Sequence, residues 1–126
     1  MEKALEIFER ALAIDGNNGK ILYSYANALV SLRRMEKAFD VFERALAVDS
    51  SDVITLSTYA RALLSVGQTE KAFKLFDRAL DIDSNDIITL SQYAKALASS
   101  NLSEKAFELY ERALAINESN NLTLVG

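Results

Sequence analysis

The amino-acid sequence predicts an all-α solenoid of about seven antiparallel helices, built from a repeated pair of helices. The first observation is a segment that begins at Glu36 and recurs with few changes at Glu2, Glu70 and Glu104, each time 34 residues along the chain. The second is the spacing of apolar residues in this segment, which follows one broad helix face and never alternates as in a strand. The third is the period, because units of this length bury their apolar faces only against neighbouring units.

Two kinds of helix alternate along the chain, and we call them A and B. Each B helix starts close to a Glu-Lys-Ala sequence, whereas each A helix carries apolar residues on a single face. Turn-forming residues, among them Gly16, separate the helices. The predicted B helices are residues 2–14, 36–48, 70–82 and 104–116, and the predicted A helices are residues 20–32, 53–66 and 87–99, followed by a partial A helix at 121–126.

These helices group into one repeat domain over residues 1–126. Its predicted parts are a half repeat at 1–18, complete repeats at 19–52, 53–86 and 87–120, and the partial A helix. Polar residues suited to capping precede several helices, namely Ser51 or Asp52, Asn85 or Asp86, Thr69 and Ser103. Acid-base pairs four residues apart indicate a solvated face on the B helices: Glu6–Arg10, Asp40–Arg44 and Glu108–Arg112.

Composition restricts the possible functions. Half of the 126 residues are apolar, neither cysteine nor histidine is present, and the formal net charge is −4. The usual general bases, thiol nucleophiles and soft metal ligands are therefore missing, and we expect no enzyme, no catalytic residue, no metal site and no cofactor. The negative charge argues against direct nucleic-acid binding, which depends on clustered lysine and arginine.

The first residues of the chain and the distribution of apolar residues indicate its cellular location. Residues 2–14 form an amphipathic pattern rather than a secretory signal, and no stretch is long and apolar enough to cross a bilayer. The lack of cysteine is compatible with a reducing compartment. We therefore expect a cytoplasmic, intracellular protein without a membrane partner.

Small residues recur at fixed places in both kinds of helix, with large residues beside them. The small positions are always alanine: Ala26, Ala60 and Ala94 in A helices, and Ala4, Ala38, Ala72, Ala106, Ala11, Ala45, Ala79 and Ala113 in B helices. The large residues are Leu22, Leu56 and Leu90 in A helices, and Phe8, Phe42, Phe76 and Tyr110 in B helices. Helices approach closely only where side chains are small. In period and in these positions, almost the whole chain resembles the tetratricopeptide repeat family.

The resemblance implies a right-handed superhelix in which A helices line the concave surface, and it implies a role in protein interaction. Two positions depart from the family pattern. The usual proline after each B helix is replaced by Gly16, Ser50, Ser84 and Glu118, so we expect looser turns. A usually aliphatic position holds Tyr25, Tyr59 and Tyr93, whose hydroxyls need partners if they are buried.

The predicted A stretches 19–33, 53–67 and 87–101 contain no acidic residue. With Leu56, Tyr59, Ala60 and Leu63 in the core, helical geometry leaves a second face accessible. The predicted partner-binding residues on this face are Lys20, Tyr23, Asn27, Val30, Ile54, Ser57, Arg61, Leu64, Ile88, Ser91, Lys95 and Ala98. We therefore predict a non-enzymatic scaffold that binds a peptide or partner protein in the concave groove, where Asn27, Arg61 and Lys95 address backbone or acidic groups.

Other interpretations remain open. Chaperone-binding members of the family clamp a C-terminal carboxylate, but only Asn27 fits that set here, because Tyr23, Thr58, Ile88 and Gln92 occupy the other places. The half-a-TPR repeat of RNA-processing scaffolds is similar in its tyrosine-alanine step and its Phe-Glu-Arg-Ala run. This chain lacks that family's tryptophans, so an RNA-processing scaffold ranks second.

The ends of the predicted array fall inside a repeat. Apolar side chains there recur at positions that interior copies use for stacking, so we expect self-association as a homo-oligomer, either a closed dimer or head-to-tail. The alternative is a fragment of a longer array. The residues concerned are Leu5, Phe8, Leu109, Leu114, Leu122 and Leu124.

Overall fold

A computed structural model describes the backbone of residues 2–125 and the side chains of residues 3–117. Over this part of the chain it contains seven α-helices and no strand, so the predicted all-α solenoid is confirmed. The odd-numbered helices are the B helices, and the even-numbered ones are the A helices. The bounds are α1 (Glu2–Ile14), α2 (Gly19–Ser31), α3 (Met35–Val48), α4 (Val53–Ser65), α5 (Thr69–Ile82), α6 (Ile87–Ser99) and α7 (Ser103–Val125).

The helices pack as a linear stack. Each A helix contacts the following B helix most extensively, and smaller contacts join α1 to α2, α3 to α4 and α5 to α6. The A helices α4 and α6 also touch each other directly, and no B–B contact of that extent occurs within the described residues. This closer approach of the A helices is expected when they line the inner side of a curved stack.

Small and large residues alternate in the core as the sequence predicts. Ala26, Ala60 and Ala94 are fully buried, which lets neighbouring helices approach closely. Phe42 and Phe76 are also fully buried, and each stacks on the tyrosine of the next A helix. The ring centroids lie 5.0 Å apart for Phe42 and Tyr59, and 5.1 Å apart for Phe76 and Tyr93.

Two residues after its last helical residue, each A helix is followed by a residue with a positive φ, namely Arg33, Gly67 or Asn101. At Gly67 the amide donates to the Leu64 carbonyl, and the amide of Gln68 donates to the Leu63 carbonyl. The same two hydrogen bonds recur after α2 and α6. This pattern satisfies the last carbonyls of the helix and turns the chain toward the following B helix.

Two predicted caps prove wrong at the B helices, and one is confirmed at an A helix. Thr69 and Ser103 are the first residues of α5 and α7 rather than caps, because the carbonyls of the preceding residues already accept helical hydrogen bonds. The amide of Ala72, for example, donates to the Gln68 carbonyl at 3.1 Å. Asp52 caps α4 as predicted, since its Oδ1 accepts from the Ile54 amide at 3.2 Å.

The last helix is longer than predicted. The sequence predicts a B helix at 104–116 and a separate partial A helix at 121–126, but α7 is continuous from Ser103 to Val125. Residue 126 lies outside the described residues. Neither glycine nor proline occurs in α7, and Glu118 stands where the earlier repeats carry Gly16, Ser50 or Ser84. Glutamate has a higher helix propensity than serine or glycine, which favours continuation of the helix.

The tyrosines at the usually aliphatic position bridge consecutive B helices. The Tyr25 hydroxyl donates to Glu9 Oε1 at 2.9 Å, and the ammonium of Lys37 lies 5.7 Å from the Tyr25 ring centroid. The next repeat repeats this arrangement, because Tyr59 donates to Glu43 Oε2 at 2.7 Å. The expectation that these hydroxyls need partners is therefore confirmed. Two further lysines lie over the later tyrosine rings, Lys71 at 5.6 Å from Tyr59 and Lys105 at 5.3 Å from Tyr93.

Ionisation of these tyrosines should lower the stability of the fold at alkaline pH. Burial and the Glu43 carboxylate raise the pKa of Tyr59, and burial and Asp77 raise the pKa of Tyr93. A group whose pKa is raised in the folded state contributes stability below its unfolded pKa, here about 10, and that stability is lost as the pH rises further. We therefore expect Tm, followed by circular dichroism, to fall between about pH 10 and 12.

The matched variants isolate the buried hydroxyls. Tyr59→Phe combined with Tyr93→Phe should flatten the decline in Tm above about pH 10, because neither ring can then ionise. Tyr110→Phe changes an exposed tyrosine and should leave the decline as it is in the unmodified protein. An equally steep decline in the double variant would contradict the assignment.

Arginines of the B helices hold the turns that lack proline. Arg44 Nη2 donates to the Gly16 carbonyl at 3.3 Å, a contact that spans 28 residues. Equivalent hydrogen bonds join Arg78 to the Ser50 carbonyl at 3.4 Å and Arg112 to the Ser84 carbonyl at 2.9 Å. The sequence predicts that Arg44 and Arg112 pair with acidic residues of their own helices, but in the structure both donate to the carbonyl of a preceding turn. These contacts tie each turn to the next B helix and counter the loosening expected without proline.

Candidate functional site

The A helices carry a second face beside the buried stripe, and several predicted site residues lie open on it. Ile54 and Ile88 are 63% and 66% exposed and stand at the same position of successive repeats. Arg61 and Lys95 follow seven residues later on the same helices and are also exposed. Seven residues are about two helical turns, so each isoleucine lies on the same helix face as the base after it.

The remaining predicted residues differ in accessibility. Lys20 and Ala98 are exposed in the same way as the two isoleucines and the two bases. The partly buried ones are Tyr23, Asn27, Val30, Leu64 and Ser91. Ser57 alone among the predicted residues is buried.

The prediction that Ser57 is accessible is wrong. Its side chain is 5% exposed, and its hydroxyl donates to the Val53 carbonyl at 2.6 Å. The hydroxyl also lies 3.1 Å from Thr89 Oγ1 of α6, because α4 and α6 touch at this level. The hydroxyls of Tyr23 and Thr58 share a comparable hydrogen bond of 3.3 Å between α2 and α4. This position therefore joins successive A helices.

An open pocket of about 500 Å³ lies between α4 and α6, and we call it the α4–α6 pocket. It brings together three predicted site residues, Arg61, Leu64 and Lys95. No acidic side chain is among the residues that line it, which are Arg61, Leu64, Ser65, Thr69, Gln92, Lys95, Ala96, Ser99 and Ser100.

Thr69 and Gln92 are among the polar residues of this pocket that the predicted site omits. Thr69 matches a cap pattern and belongs to a B helix, so no signal in the sequence points to the A-helix face. Gln92 precedes Lys95 by three residues on α6. Helical geometry places residues three apart on one face, and this spacing could have identified Gln92.

Several bases of the B helices are engaged within the described part of the fold, whereas Arg61 and Lys95 of the A helices are not. On the B helices, Lys37 lies over a tyrosine ring and Arg78 donates to a turn carbonyl. On the A helices, the side chains of Arg61 and Lys95 make no hydrogen bond or ion pair with any other described side chain or backbone group. Their charges are therefore available to a ligand.

The structure corrects the predicted end surfaces. Leu5 and Leu109 are 4% and 5% exposed, and Phe8 is partly buried with its ring centroid 5.9 Å from that of Tyr25. The prediction that these three side chains are left exposed at the ends is wrong, because α1 packs against α2 and α7 packs against α6. Leu114 is 59% exposed, as predicted. Leu122 and Leu124 lie outside the described side chains.

Other apolar residues form the exposed faces of α1 and α7. Ile7 is 63% exposed, whereas Val41 at the same repeat position is 3% exposed in α3. On α7, Phe107 and Tyr110 are 64% and 40% exposed, although Phe42, the counterpart of Tyr110, is fully buried. In an interior repeat, one face of the B helix packs on the A helix of the same repeat, and another face packs on the A helix of the next repeat. The first of these faces is exposed on α1, and the second is exposed on α7. Self-association at these faces stays a prediction.

Within the part of the chain that the structure describes, no helix combines the length and the apolar character that a membrane span requires.

Comparison with known proteins places the chain among similar folds. A family model for the tetratricopeptide repeat matches residues 1–119. A crystal structure of MamA is 18% identical with a TM-score of 0.85, over 93% of this chain and 68% of the chain in that structure. MamA 41-end from Desulfovibrio magneticus RS-1 is 19% identical with a TM-score of 0.85, over 94% of this chain and 67% of that one. The chain therefore spans about two thirds of the length of these two structures.

A further similar structure contains a ligand. The second TPR of Spaghetti (RPAP3), bound to the HSP90 peptide SRMEEVD, is 18% identical with a TM-score of 0.72, over 82% of this chain and 97% of that one. At these identities the likeness concerns the fold. No curated protein sequence gives a significant match.

Proposed function

Because the chain belongs to the tetratricopeptide repeat family, we propose that it is a non-enzymatic scaffold that binds a peptide segment of a partner protein on the face of its A helices. The observation that carries this proposal is the combination of exposed isoleucines and unpaired bases on that face, at equivalent positions of successive repeats. A structural neighbour that is bound to a peptide supports the general mode.

Apolar anchors supply one part of the proposed recognition. Ile54 and Ile88 are the second residues of α4 and α6, and more than half of each side chain is open. Burying the remaining apolar surface under a ligand is favourable by roughly 25 cal/mol per Å². Because α4 and α6 touch, one extended segment that crosses both helices can contact both isoleucines.

The clamp for a C-terminal carboxylate is not the mode we propose. Of the positions that the family's clamp uses, Tyr23 and Thr58 share a hydrogen bond with each other, and Ile88 is apolar. Asn27 is the one matching residue, and it is partly buried. The family model that matches residues 1–119 is one for the tetratricopeptide repeat, and an RNA-processing scaffold stays the second interpretation.

A random peptide library displayed on phage tests the proposal. We expect the unmodified protein to select peptides, and Ile54→Ser combined with Ile88→Ser to weaken the binding of a selected synthetic peptide by about tenfold or more. Fluorescence anisotropy measures the affinity, and circular dichroism checks that helicity is retained.

The control makes a similar change elsewhere on the surface. Val48→Ser combined with Ile82→Ser removes apolar side chains that are 44% and 46% exposed on the B helices α3 and α5. This control should bind the peptide as the unmodified protein does. Failure to select any peptide, or an equal loss of affinity in both double variants, would refute binding on the A-helix face.

A further inference from the structure

We propose that the α4–α6 pocket recognises an acidic side chain, aspartate or glutamate, of the bound peptide. This inference rests on the proposed function, because it assigns a specificity to part of the same face. It is carried by the charge, the unpaired state and the surroundings of two bases.

The charge of the pocket differs in sign from that of the whole chain. Arg61 from α4 and Lys95 from α6 stand at the same repeat position and line one pocket, and no carboxylate lines it. The chain as a whole has a net charge of −4, with its acids in the B helices and turns. A ligand carboxylate in the pocket therefore meets two positive charges and no negative one at close range.

No described polar contact within the fold engages these two bases. Neither side chain makes a hydrogen bond or ion pair with another described residue. Neither lies in the last turn of its helix, where a positive charge would be stabilised by the helix dipole. Exposed bases that do nothing for their own helix are free to contact a ligand.

The other lining residues complete a site for a carboxylate. The hydroxyls of Ser65 and Ser99 already donate to the carbonyls of Ala62 and Lys95, so they are not available as donors. Gln92 and Thr69 can donate to the ligand beside the two bases. Leu64 and Ala96 supply apolar surface for the methylene groups of an acidic side chain.

The number of charges favours a carboxylate on a peptide over a polyanion. Binding to nucleic acid is carried by many phosphate contacts, and a chain of net charge −4 repels such a ligand. Arg61 and Lys95 also stand outside the family's carboxylate clamp. Of the clamp positions, which are occupied here by Tyr23, Asn27, Thr58, Ile88 and Gln92, only Gln92 lines this pocket. The proposed contact is thus to a side chain within the peptide, not to a chain terminus.

A double-mutant cycle tests the assignment. Peptides selected from the random library should be enriched in aspartate or glutamate at one position. A fluorescein-labelled synthetic peptide of the selected sequence is compared with a version that carries the corresponding amide, on the unmodified protein and on Arg61→Gln combined with Lys95→Gln. We expect the amide to weaken binding by about tenfold, and the double variant to bind both peptides equally weakly.

A control for net charge uses two bases outside the A helices. Lys3→Gln combined with Lys74→Gln removes the same charge from α1 and α5 and should leave the preference for the acidic peptide unchanged. A preference that survives in Arg61→Gln with Lys95→Gln, or selected peptides without an enriched acid, would overturn the pocket assignment while peptide binding stands. A phosphoserine peptide that binds more than about tenfold tighter than the glutamate peptide would overturn the choice of a carboxylate. Failure to select any peptide would overturn both proposals.

Discussion

Replacing Phe76 by alanine is expected to lower the free energy of unfolding by about 3–5 kcal/mol. The Phe76 ring is fully buried in α5 and stacks on Tyr93 of α6 with the ring planes 15° apart. The substitution removes apolar surface and leaves a cavity between two repeats, and both effects reduce stability. Urea denaturation followed by circular dichroism measures the loss.

Phe107→Ala is the matched control for this prediction. It makes the same chemical change on α7, where the Phe107 ring is 64% exposed. Little burial is lost there, so we expect a change within about 0.5 kcal/mol. Losses of equal size at Phe76 and Phe107 would contradict the burial that distinguishes them.

Leu63→Ala should cost about 2–5 kcal/mol, because Leu63 is fully buried in the middle of the stack. The neighbouring Leu64→Ala makes the same change on the same helix, but Leu64 is partly exposed and lines the α4–α6 pocket. We expect Leu64→Ala to lower stability less and to weaken binding of the selected peptide. The urea midpoint and the peptide affinity, measured on both variants, separate the two effects. A greater loss of stability for Leu64→Ala would show that the two helix faces are wrongly assigned.

The period and the small residues were sufficient to predict the first six helices and the start of the seventh from the sequence. The predicted A helix at 87–99 coincides with α6, and the predicted 53–66 differs from α4 by one residue. Alanine at fixed repeat positions indicates a close helix contact, since only a small side chain fits there. These features are local or strictly periodic, so a single sequence is enough to detect them.

Features that depend on which neighbour covers a face could not be predicted in the same way. The position of Ser57 is polar in each A helix, and its burial follows from the approach of α6 to α4. Leu5 belongs to a repeat that lacks its own A helix, yet it is buried because it faces α2. Glu43 matches a pattern of surface residues, and its hydrogen bond to Tyr59 joins residues that are 16 apart in sequence. Helical periodicity identifies an apolar face but does not say which neighbouring helix covers it.

The arginine contacts to the turns affect which sequence changes such a repeat array can tolerate during evolution. Each arginine donates to a main-chain carbonyl, so glycine at position 16 and serine at positions 50 and 84 all serve as acceptors. Substitutions that preserve the turn backbone are therefore neutral for this contact. A tandem duplication of one 34-residue unit also adds one donor and one acceptor, in register with those already present. The array can lengthen by whole units without the loss of this contact between repeats.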